Sequence, residues 1–272
     1  MNPRQIKKLA PEPAVKLHAQ SILDLRDGDG LQVDVEVVDE TGSTNADLMA
    51  RLDLLQTPLL RVAEHQTAGR GRAGRVWHSV SGGVLTFSLA WYFSGNTQSL
   101  LGLPLVTGVA IAEALAALGV NVGLKWPNDV LKDQKKLAGI LIETSAPKYG
   151  GSWAVIGIGL NLSVPDDLEV SIGHEVADAP WLAQMDRNAL MAHLLNALAK
   201  TMQQFGQSGF VPFAERWNTL HVYAGREVVI TDAGTVVQRG IALGVDRYGC
   251  LLLQTTNGQI PVISGDVSLR PA

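Results

Sequence analysis

A loop of alternating glycine and arginine, residues 69–75, constrains the fold of this chain more than any other feature. It matches the G-x-G-x-x-G pattern of dinucleotide-binding folds, in which a helix must follow the glycines and cross over to a parallel strand. Here a polar stretch ending in two glycines follows instead, and an alternating, strand-like segment begins at Val84. The sequence therefore argues against a Rossmann fold.

The same loop has the composition of an anion-binding site. Three glycines, Gly69, Gly71 and Gly74, let the backbone approach a ligand closely. Three arginines add forked positive charge to a chain whose formal net charge is −4. Because the loop has almost no apolar anchor, we expect it to be mobile without an anion and ordered with one. The alternative is a solvated basic surface loop.

Segments typical of strands and helices alternate along the chain. Predicted strands cover residues 33–38, 59–64, 84–93, 122–125, 137–144 and 154–159. Predicted helices cover residues 45–55, 104–118, 188–205 and 211–220, and Ser43 or Thr44 caps the first of them. Short polar links between the later strands favour antiparallel neighbours. These patterns predict an α+β fold with a mixed, mostly antiparallel sheet and helices.

The pattern changes after Tyr223 to short strands separated by turn residues, among which Asn257-Gly258 is a strong hairpin signal. A small all-β barrel fits this tail. We therefore expect three parts: a leader or linker at 1–33, broken by prolines; a catalytic domain at 34–222; and a small β-barrel domain at 223–272.

Cysteine use and hydropathy suggest a reducing compartment and no membrane. Cys250 is the only cysteine, so no intrachain disulfide can form, and its apolar neighbours predict a buried strand position. Residues 1–20 contain no apolar core of a signal peptide. The apolar stretch 105–118 is interrupted by Glu113 and is shorter than the ~20 residues of a membrane span, which predicts a core helix. We expect a cytoplasmic protein.

Two further segments combine reactive side chains with strand glycines. The segment from Lys125 to Asp129 carries a cation, an aromatic ring, an amide and a carboxylate on a turn stiffened by Pro127. Residues 136–140 and 157–161 place glycines inside apolar strands, where they permit close approach of a ligand or chain. Asn161 suits a purine edge, although turn formation explains it equally well, and the lysines alone would be solvated by default.

Taken together, these segments resemble the biotin protein ligase family. The resemblance rests on residues 43–45, Gln66, the 69–75 loop with Trp77, and residues 125–129, 136–140 and 157–161, in the family's order. Residues 244–253 and 265–270 resemble the family's C-terminal domain, and coverage runs from about residue 11 to the end. The resemblance implies a catalytic domain similar to class II aminoacyl-tRNA synthetases, followed by an SH3-like β barrel.

The resemblance also implies a two-step reaction. The carboxylate of biotin attacks the α-phosphate of ATP, giving biotinyl-5′-AMP and pyrophosphate. A lysine amine of a biotin carboxyl carrier protein, of the acetyl-CoA carboxylase type, then attacks the mixed anhydride. Mg²⁺ would be bound through the phosphates, since no side-chain metal motif is present in the sequence.

The family's functional residues map onto matching positions here. The implied biotin site comprises Ser43, Thr44, Asn45, Gln66, Arg70, Gly71, Arg72, Lys136, Gly157 and Gly159. The implied ATP and adenylate site comprises Arg72, Arg75, Trp77, Lys136 and Asn161. Catalytic roles fall to Arg72, Lys136, Lys125 and Asp129. Asp129 either takes the proton of the acceptor amine or only positions that amine.

Two other functions stay open at this point. One is a lipoate or octanoate ligase or transferase of similar fold, and the other is a non-catalytic biotin sensor. About 10 residues precede Pro11, too few for a winged helix-turn-helix, so we expect no DNA-binding repressor activity. Exposed strand edges leave a homodimer open as well.

Overall fold

The computed structural model describes residues 15–28, 33–147, 150–164, 176–232, 234–263 and 267–271. They form one sheet of seven strands with helices and a second sheet of five strands. The predicted α+β class, with a separate small all-β part, is confirmed. The family-like residues 265 and 266, and the first 14 residues of the predicted leader, lie outside the described residues.

The large sheet is mixed. Its first two strands are parallel, and every other neighbouring pair is antiparallel. The strands are β1 (Asp34–Thr41), β2 (Leu59–Gln66), β3 (Val84–Phe93), β4 (Gly123–Lys125), β5 (Asp129–Lys132), β6 (Lys135–Ser145) and β7 (Ser152–Asn161). Their spatial order is β1-β2-β3-β7-β6-β5-β4. This order brings the ends of β2, β3, β6 and β7 around one site.

The helices are α1 (Ala19–Asp24), α2 (Thr44–Met49), α3 (Leu103–Ala117), α4 (Arg187–Ser208) and α5 (Val211–Leu220). The predicted helix at 45–55 is shorter in the structure, because a separate 3-10 turn at Leu52–Leu54 follows α2. The stretch Thr97–Ala117 is apolar enough for a membrane span, with a mean hydropathy of 1.9, but 67% of its most apolar window is buried inside the protein. Helix α3 packs between the sheet and α4, as a core helix does.

The start of the described chain is fixed to the large sheet. The backbone N–H of Leu17 donates to Glu64 at 2.8 Å, and that of His18 donates to Asn188 at 2.8 Å. Arg187 is buried and forms an ion pair with Glu64 at 2.7 Å. Residues 15–18 therefore pack as part of the large-sheet layer, although this stretch belongs to the predicted leader.

The small sheet is antiparallel throughout, in the order β11-β10-β9-β8-β12. Its strands are β8 (Glu227–Asp232), β9 (Thr235–Val245), β10 (Leu251–Thr255), β11 (Gly258–Val262) and β12 (Val267–Pro271). The predicted hairpin forms, since Thr255 pairs with Gly258, whose φ of 107° suits glycine. The prediction for Cys250 was wrong: it precedes β10 and is only half-buried, because the turn before the strand leaves it partly open.

Hydrogen bonds join the region of the small sheet to the turn between β4 and β5 and to α5. The indole N–H of buried Trp126 donates to the carbonyl of Gly249 at 3.2 Å. The side-chain oxygen of Asn218 accepts from the backbone N–H of Val245 at 2.8 Å. This docking places Arg270, from β12, beside the segment that carries Lys125 and Asp129.

His221 is buried at the same junction and makes the fold sensitive to acid. Its ring lies 4.7 Å from that of Trp217 and 6.4 Å from that of Tyr223, between centroids, and neither ring nitrogen has a hydrogen-bond partner in the described residues. Burial lowers the pKa of His221 from 6.5 to about 4. Between those values the folded state binds fewer protons than the unfolded state, so stability falls as the pH falls.

We expect the free energy of unfolding to decrease by about 3 kcal/mol as the pH drops from 6.5 to 4 through this group alone. Urea denaturation of the wild type and of His221→Phe, at about pH 7 and about pH 4.5, measures it. The phenylalanine variant cannot titrate there and should lose less stability than the wild type. Equal losses in the two proteins would show that His221 does not titrate as its burial requires.

Candidate active site

Two adjoining clefts lie at the ends of the central strands. The first, of roughly 460 Å³, is lined mainly by neutral polar groups, apolar groups and glycines, including Ser43, Thr44, Asn45 and Gln66. Away from the second cleft, Arg70 is its one charged residue among the described lining residues, and Glu143 balances that charge. The second, of roughly 940 Å³, is cationic and is lined by Arg72, Arg75, Lys125, Lys136 and Arg270 among others. Gly71, Arg72, Trp77, Asn128 and Lys136 line both. The boundary between the neutral and the cationic cleft therefore carries two positive charges.

The neutral cleft is shaped by the start of α2. Ser43 caps this helix, and its hydroxyl accepts from the N–H of Ala46. The next residue, Thr44, donates its backbone N–H to Oε1 of Gln66 at 2.8 Å. That contact fixes the orientation of the Gln66 amide, so its NH₂ is available as a donor and Oε1 keeps a second lone pair for a ligand. The predicted biotin-side residues are thus brought together by a cap and one cross-link to β2.

The glycines in β7 leave room for side chains from other elements of the protein. A Cβ atom built on Gly157 would lie 2.2 Å from Oδ1 of Asn45, and one on Gly159 would lie 2.1 Å from Cε2 of Trp77. Both distances are far below van der Waals contact. The prediction that these strand glycines permit close approach is confirmed, and the approaching groups in the structure are Asn45 and Trp77, which line the clefts.

The glycine-arginine loop folds into a small hairpin. The N–H of Gly71 donates to the carbonyl of Arg75 at 2.7 Å, and the N–H of Trp77 donates to that of Gly69 at 2.9 Å. A three-residue 3-10 turn closes its tip, where Ala73 has a φ of 53°. Residues 76–83, which connect this loop to β3, are all described and contain no crossover helix. The argument against a Rossmann fold is therefore confirmed.

Arg72 is directed towards the cleft boundary by Asn128. Its Nη1 donates to Oδ1 of Asn128 at 3.1 Å, while Nδ2 of Asn128 donates to the carbonyl of Ile140 at 2.7 Å. A carbonyl can only accept, so this second bond fixes which end of the amide faces Arg72. Asn128 lies inside the predicted 125–129 segment, but no separate role was predicted for it.

Asp129 binds two lysines. Its Oδ1 is 2.6 Å from Nζ of Lys136, and its Oδ2 is 3.3 Å from Nζ of Lys125. Burial alone would raise the pKa of Asp129, but the two positive charges outweigh it and hold the pKa below its ordinary value. Burial lowers the pKa of Lys125, and Asp129 offsets part of that effect. The three groups share one surplus positive charge, which suits a phosphate.

Trp77 and Asn161 border the cationic cleft. Nζ of Lys136 lies 5.5 Å from the centroid of the indole ring of Trp77. Asn161 uses its amide NH₂ to donate to the carbonyls of Lys136 and Ala177, both at 3.2 Å. Only its oxygen remains for a ligand, so the predicted reading of a purine would require a donor such as an exocyclic amine.

Sequence reasoning missed two polar residues that bind the predicted ones. The hydroxyl of Ser88 lies 2.7 Å from that of Thr44 and donates to Oδ1 of Asn45 at 2.5 Å. Oε2 of Glu143 accepts from Nδ2 of Asn45 at 2.9 Å and from Arg70 at 2.8 Å. A signal existed, since Ser88 lies between two apolar residues of its predicted strand and Glu143 is the only charged residue of its own.

Comparison with known proteins agrees with this geometry. Residues 35–161 match the model of the "Biotin/lipoate A/B protein ligase family", and residues 223–270 match that of the "Biotin protein ligase C terminal domain". The chain is 35% identical to the bifunctional ligase/repressor BirA of Escherichia coli, over 96% of this chain and 81% of that protein. It is 33% identical to the biotin–[acetyl-CoA-carboxylase] ligase of Mycobacterium tuberculosis, over 86% of this chain and 88% of that protein.

Among solved structures, the biotin protein ligase from Aquifex aeolicus in complex with biotin and ATP superimposes with a TM-score of 0.73. The two chains are 29% identical, and the match covers 88% of this chain and 99% of that one. The mixed sheet, its two clefts and the first family match define a ligase of the biotin and lipoate class. The matched C-terminal domain and the relatives narrow this class: the chain belongs to the biotin protein ligase family.

Proposed function

We propose that this chain catalyses the ATP-dependent activation of biotin to biotinyl-5′-AMP and the transfer of biotin to a lysine of a carrier protein. One observation carries the proposal: a neutral cleft and a cationic cleft meet at Arg72 and Lys136. Biotin is a neutral ureido ring system with a carboxylate tail, and ATP is a polyanion. The two clefts match these substrates, and their boundary matches the atoms that react.

In the first step, biotin occupies the neutral cleft with its ureido group against Thr44 and Gln66. Its carboxylate reaches the cleft boundary, and one carboxylate oxygen attacks the α-phosphorus of ATP. The bond from the α-phosphorus to the bridging oxygen breaks, and pyrophosphate leaves with its electron pair. Arg72 and Lys136 bring the two anions together and stabilise the charge that develops on the phosphoryl oxygens. The indole of Trp77 lines both clefts.

The residues present fit a phosphate-bound Mg²⁺ rather than a protein-bound one. Asp129 is the only carboxylate among the described residues that line the cationic cleft, and ammonium groups bind both of its oxygens. The described chain also contains no group of three or more His, Cys, Asp or Glu side chains suited to a metal. Mg²⁺ would therefore be held by the phosphates of ATP and would neutralise part of their charge.

In the second step, the amine of an acceptor lysine attacks the carbonyl carbon of the adenylate, and AMP leaves. An unperturbed lysine has a pKa of about 10.4, so less than about 1% is neutral at pH 7. Asp129 is ionised but occupied by two lysines, which favours a role in orienting the amine over a role as a free base. The loop that carries Arg70, Arg72 and Arg75 would exclude water from the anhydride.

We expect Arg72→Ala to release biotinyl-AMP faster, by roughly 10-fold, because the variant loses a charge-assisted contact at the cleft boundary. Single-turnover formation of labelled adenylate, followed by a chase with unlabelled biotin, measures its release. Arg239→Ala, an exposed site on the small sheet, is the matched control. An adenylate retained as firmly as in the wild type would remove Arg72 from the retention role.

Biotin-dependent exchange of pyrophosphate into ATP tests the proposed function as a whole. The exchange should require biotin and should not be supported by lipoate, which has no ureido group to meet Thr44 and Gln66. Labelling of a carrier domain with biotin then tests the transfer step. Exchange driven by lipoate or octanoate would favour the related acyl ligases, and binding of biotin without exchange would favour a sensor.

The acceptor, the compartment, the domain division and the oligomeric state complete the proposal. The names of two relatives contain acetyl-CoA carboxylase, which supports its biotin carrier protein as the acceptor. We propose the cytoplasm as the site of action. The division at residues 34–222 and 223–272 into a catalytic and a small β domain is supported by the separate sheets. β1 is one of the two edge strands of the large sheet, and pairing along it would allow a homodimer.

A further inference from the structure

We propose that Glu143 is a positioning residue that sets the direction of the hydrogen bonds in the biotin-ureido site. The inference rests on the proposed function and deepens it, because it concerns how the neutral cleft selects its ligand. Glu143 is half-buried on β6, beyond the part of that strand that pairs with β5.

A continuous chain of hydrogen bonds starts at this carboxylate and crosses four elements. From Glu143 it passes through α2 and β3 and ends on β2, and its members are Glu143, Asn45, Ser88, Thr44 and Gln66. Donor-to-acceptor distances along it range from 2.5 to 2.9 Å. Three of its members, Thr44, Asn45 and Gln66, line the neutral cleft, and Glu143 and Ser88 act on them from outside it.

The carboxylate fixes the direction of this chain. Because Glu143 can only accept, Asn45 must turn its NH₂ towards it, and the neighbouring carbonyl of Leu141, at 3.4 Å, accepts from the same nitrogen. Oδ1 of Asn45 therefore faces Ser88 and accepts the hydrogen bond that the Ser88 hydroxyl donates. Because the proton of Ser88 is used there, Thr44 must be the donor in the contact of 2.7 Å between the two hydroxyls.

The result is a pair of acceptors at the ureido end of the cleft. Oγ1 of Thr44 donates its hydrogen bond to Ser88, so its lone pairs remain available as acceptors for a ligand. The geometry would also let the Thr44 hydroxyl donate to Oε1 of Gln66 at 3.1 Å, but its single proton is used in the shorter contact with Ser88. Oε1, which accepts from the backbone N–H of Thr44, and Oγ1 therefore both face the cleft as acceptors. Two acceptors this close are satisfied by one N–H group that reaches both. A ureido nitrogen supplies such a donor, and a lipoate ring does not.

The acceptor role of Glu143 outweighs its charge. The same Oε2 pairs with Arg70, whose side chain is 45% exposed, and an exposed ion pair contributes little. Asn45 and Ser88 are buried, so loss of their acceptor or donor leaves a buried polar group unsatisfied, which costs much more. A glutamine at this position keeps an acceptor oxygen and loses only the charge. Glu143→Gln should therefore resemble the wild type, and Glu143→Ala should not.

Steady-state pyrophosphate exchange by the full chain tests the proposal. We expect Glu143→Ala to raise the KM for biotin by about 10- to 100-fold and to change the KM for ATP by less than about 3-fold. Glu143→Gln should stay within about 3-fold of the wild type for both substrates. Thr144→Ala, the exposed neighbour on the same strand, is the matched control and should change neither KM.

An analogue of biotin methylated on the ureido nitrogens gives a second readout. The wild type should discriminate against this analogue, and Glu143→Ala should discriminate less, because only the longer contact with the carbonyl of Leu141, at 3.4 Å, then holds the Asn45 amide in this orientation. Equal increases in the two KM values, a fall in kcat alone, or a glutamine variant as impaired as the alanine variant would each overturn the proposal. Should Glu143→Ala not fold, Ser88→Ala interrupts the same chain and must give the same biotin-specific increase. A wild type without biotin-dependent exchange would instead refute the proposed function.

Discussion

Replacing Lys136 with alanine is expected to slow the formation of biotinyl-adenylate by roughly 100- to 1,000-fold. Lys136 lines both clefts, and Asp129 holds its ammonium group at 2.6 Å. The group is therefore fixed before the substrates arrive and needs no reorganisation as negative charge builds on the α-phosphate. A mobile lysine on the surface would contribute far less, since water would screen it and its side-chain entropy would oppose the contact.

Rapid quenching of a single turnover measures this rate, with ATP and biotin at saturating concentrations. Lys135→Ala is the matched control, because Lys135 is the preceding residue on β6 and lines neither cleft. Lys136→Arg should recover only part of the rate, since a planar fork does not replace a compact point charge beside Asp129. A Lys136→Ala rate within about 5-fold of the wild type would mean that other groups carry the electrostatic stabilisation.

The parts of the fold that could be predicted are those whose periodicity is complete within the segment. Strand β3 and helix α5 have the predicted bounds, since ten residues of each show one clear pattern. Strands β5 and β12 were not predicted. They have four and five residues, and pairing with β4, β6 and β8 defines them rather than any pattern of their own.

Some residues of the site could likewise be predicted from the sequence, and others could not. Residues clustered in short segments, such as Lys125 and Asp129, could be proposed from the sequence because their chemistry is concentrated locally. Glu143 and Asn45 are 98 positions apart, and only the pairing of β6 with β7, against which α2 packs, makes them neighbours. A lone polar residue in a strand marks a position that needs a partner, but it cannot indicate which partner it has.

The cluster of Asp129 with Lys125 and Lys136 gives the largest expected effect on stability. Asp129→Asn keeps the shape of the side chain and leaves two partly buried ammonium groups without a counter-charge. We expect a loss of about 3–5 kcal/mol in the free energy of unfolding at neutral pH, as for other buried pairs that lose one partner. Urea denaturation measures the loss, and Asp133→Asn, at an exposed carboxylate in the adjacent hairpin, should have almost no effect.

The pH dependence identifies the cause of that loss. Burial already lowers the pKa of Lys125, and removal of Asp129 takes away the charge that opposes this effect. The folded variant then releases protons at lower pH than the unfolded chain, so its stability rises with pH up to the ordinary lysine pKa of about 10.4. The difference in the free energy of unfolding between variant and wild type should therefore become smaller between about pH 7 and about pH 9.5. Pyrophosphate should also raise the melting temperature of the variant more than that of the wild type, because an anion replaces the missing charge. A gap that is constant with pH and with pyrophosphate would point to lost packing instead of unbalanced charge.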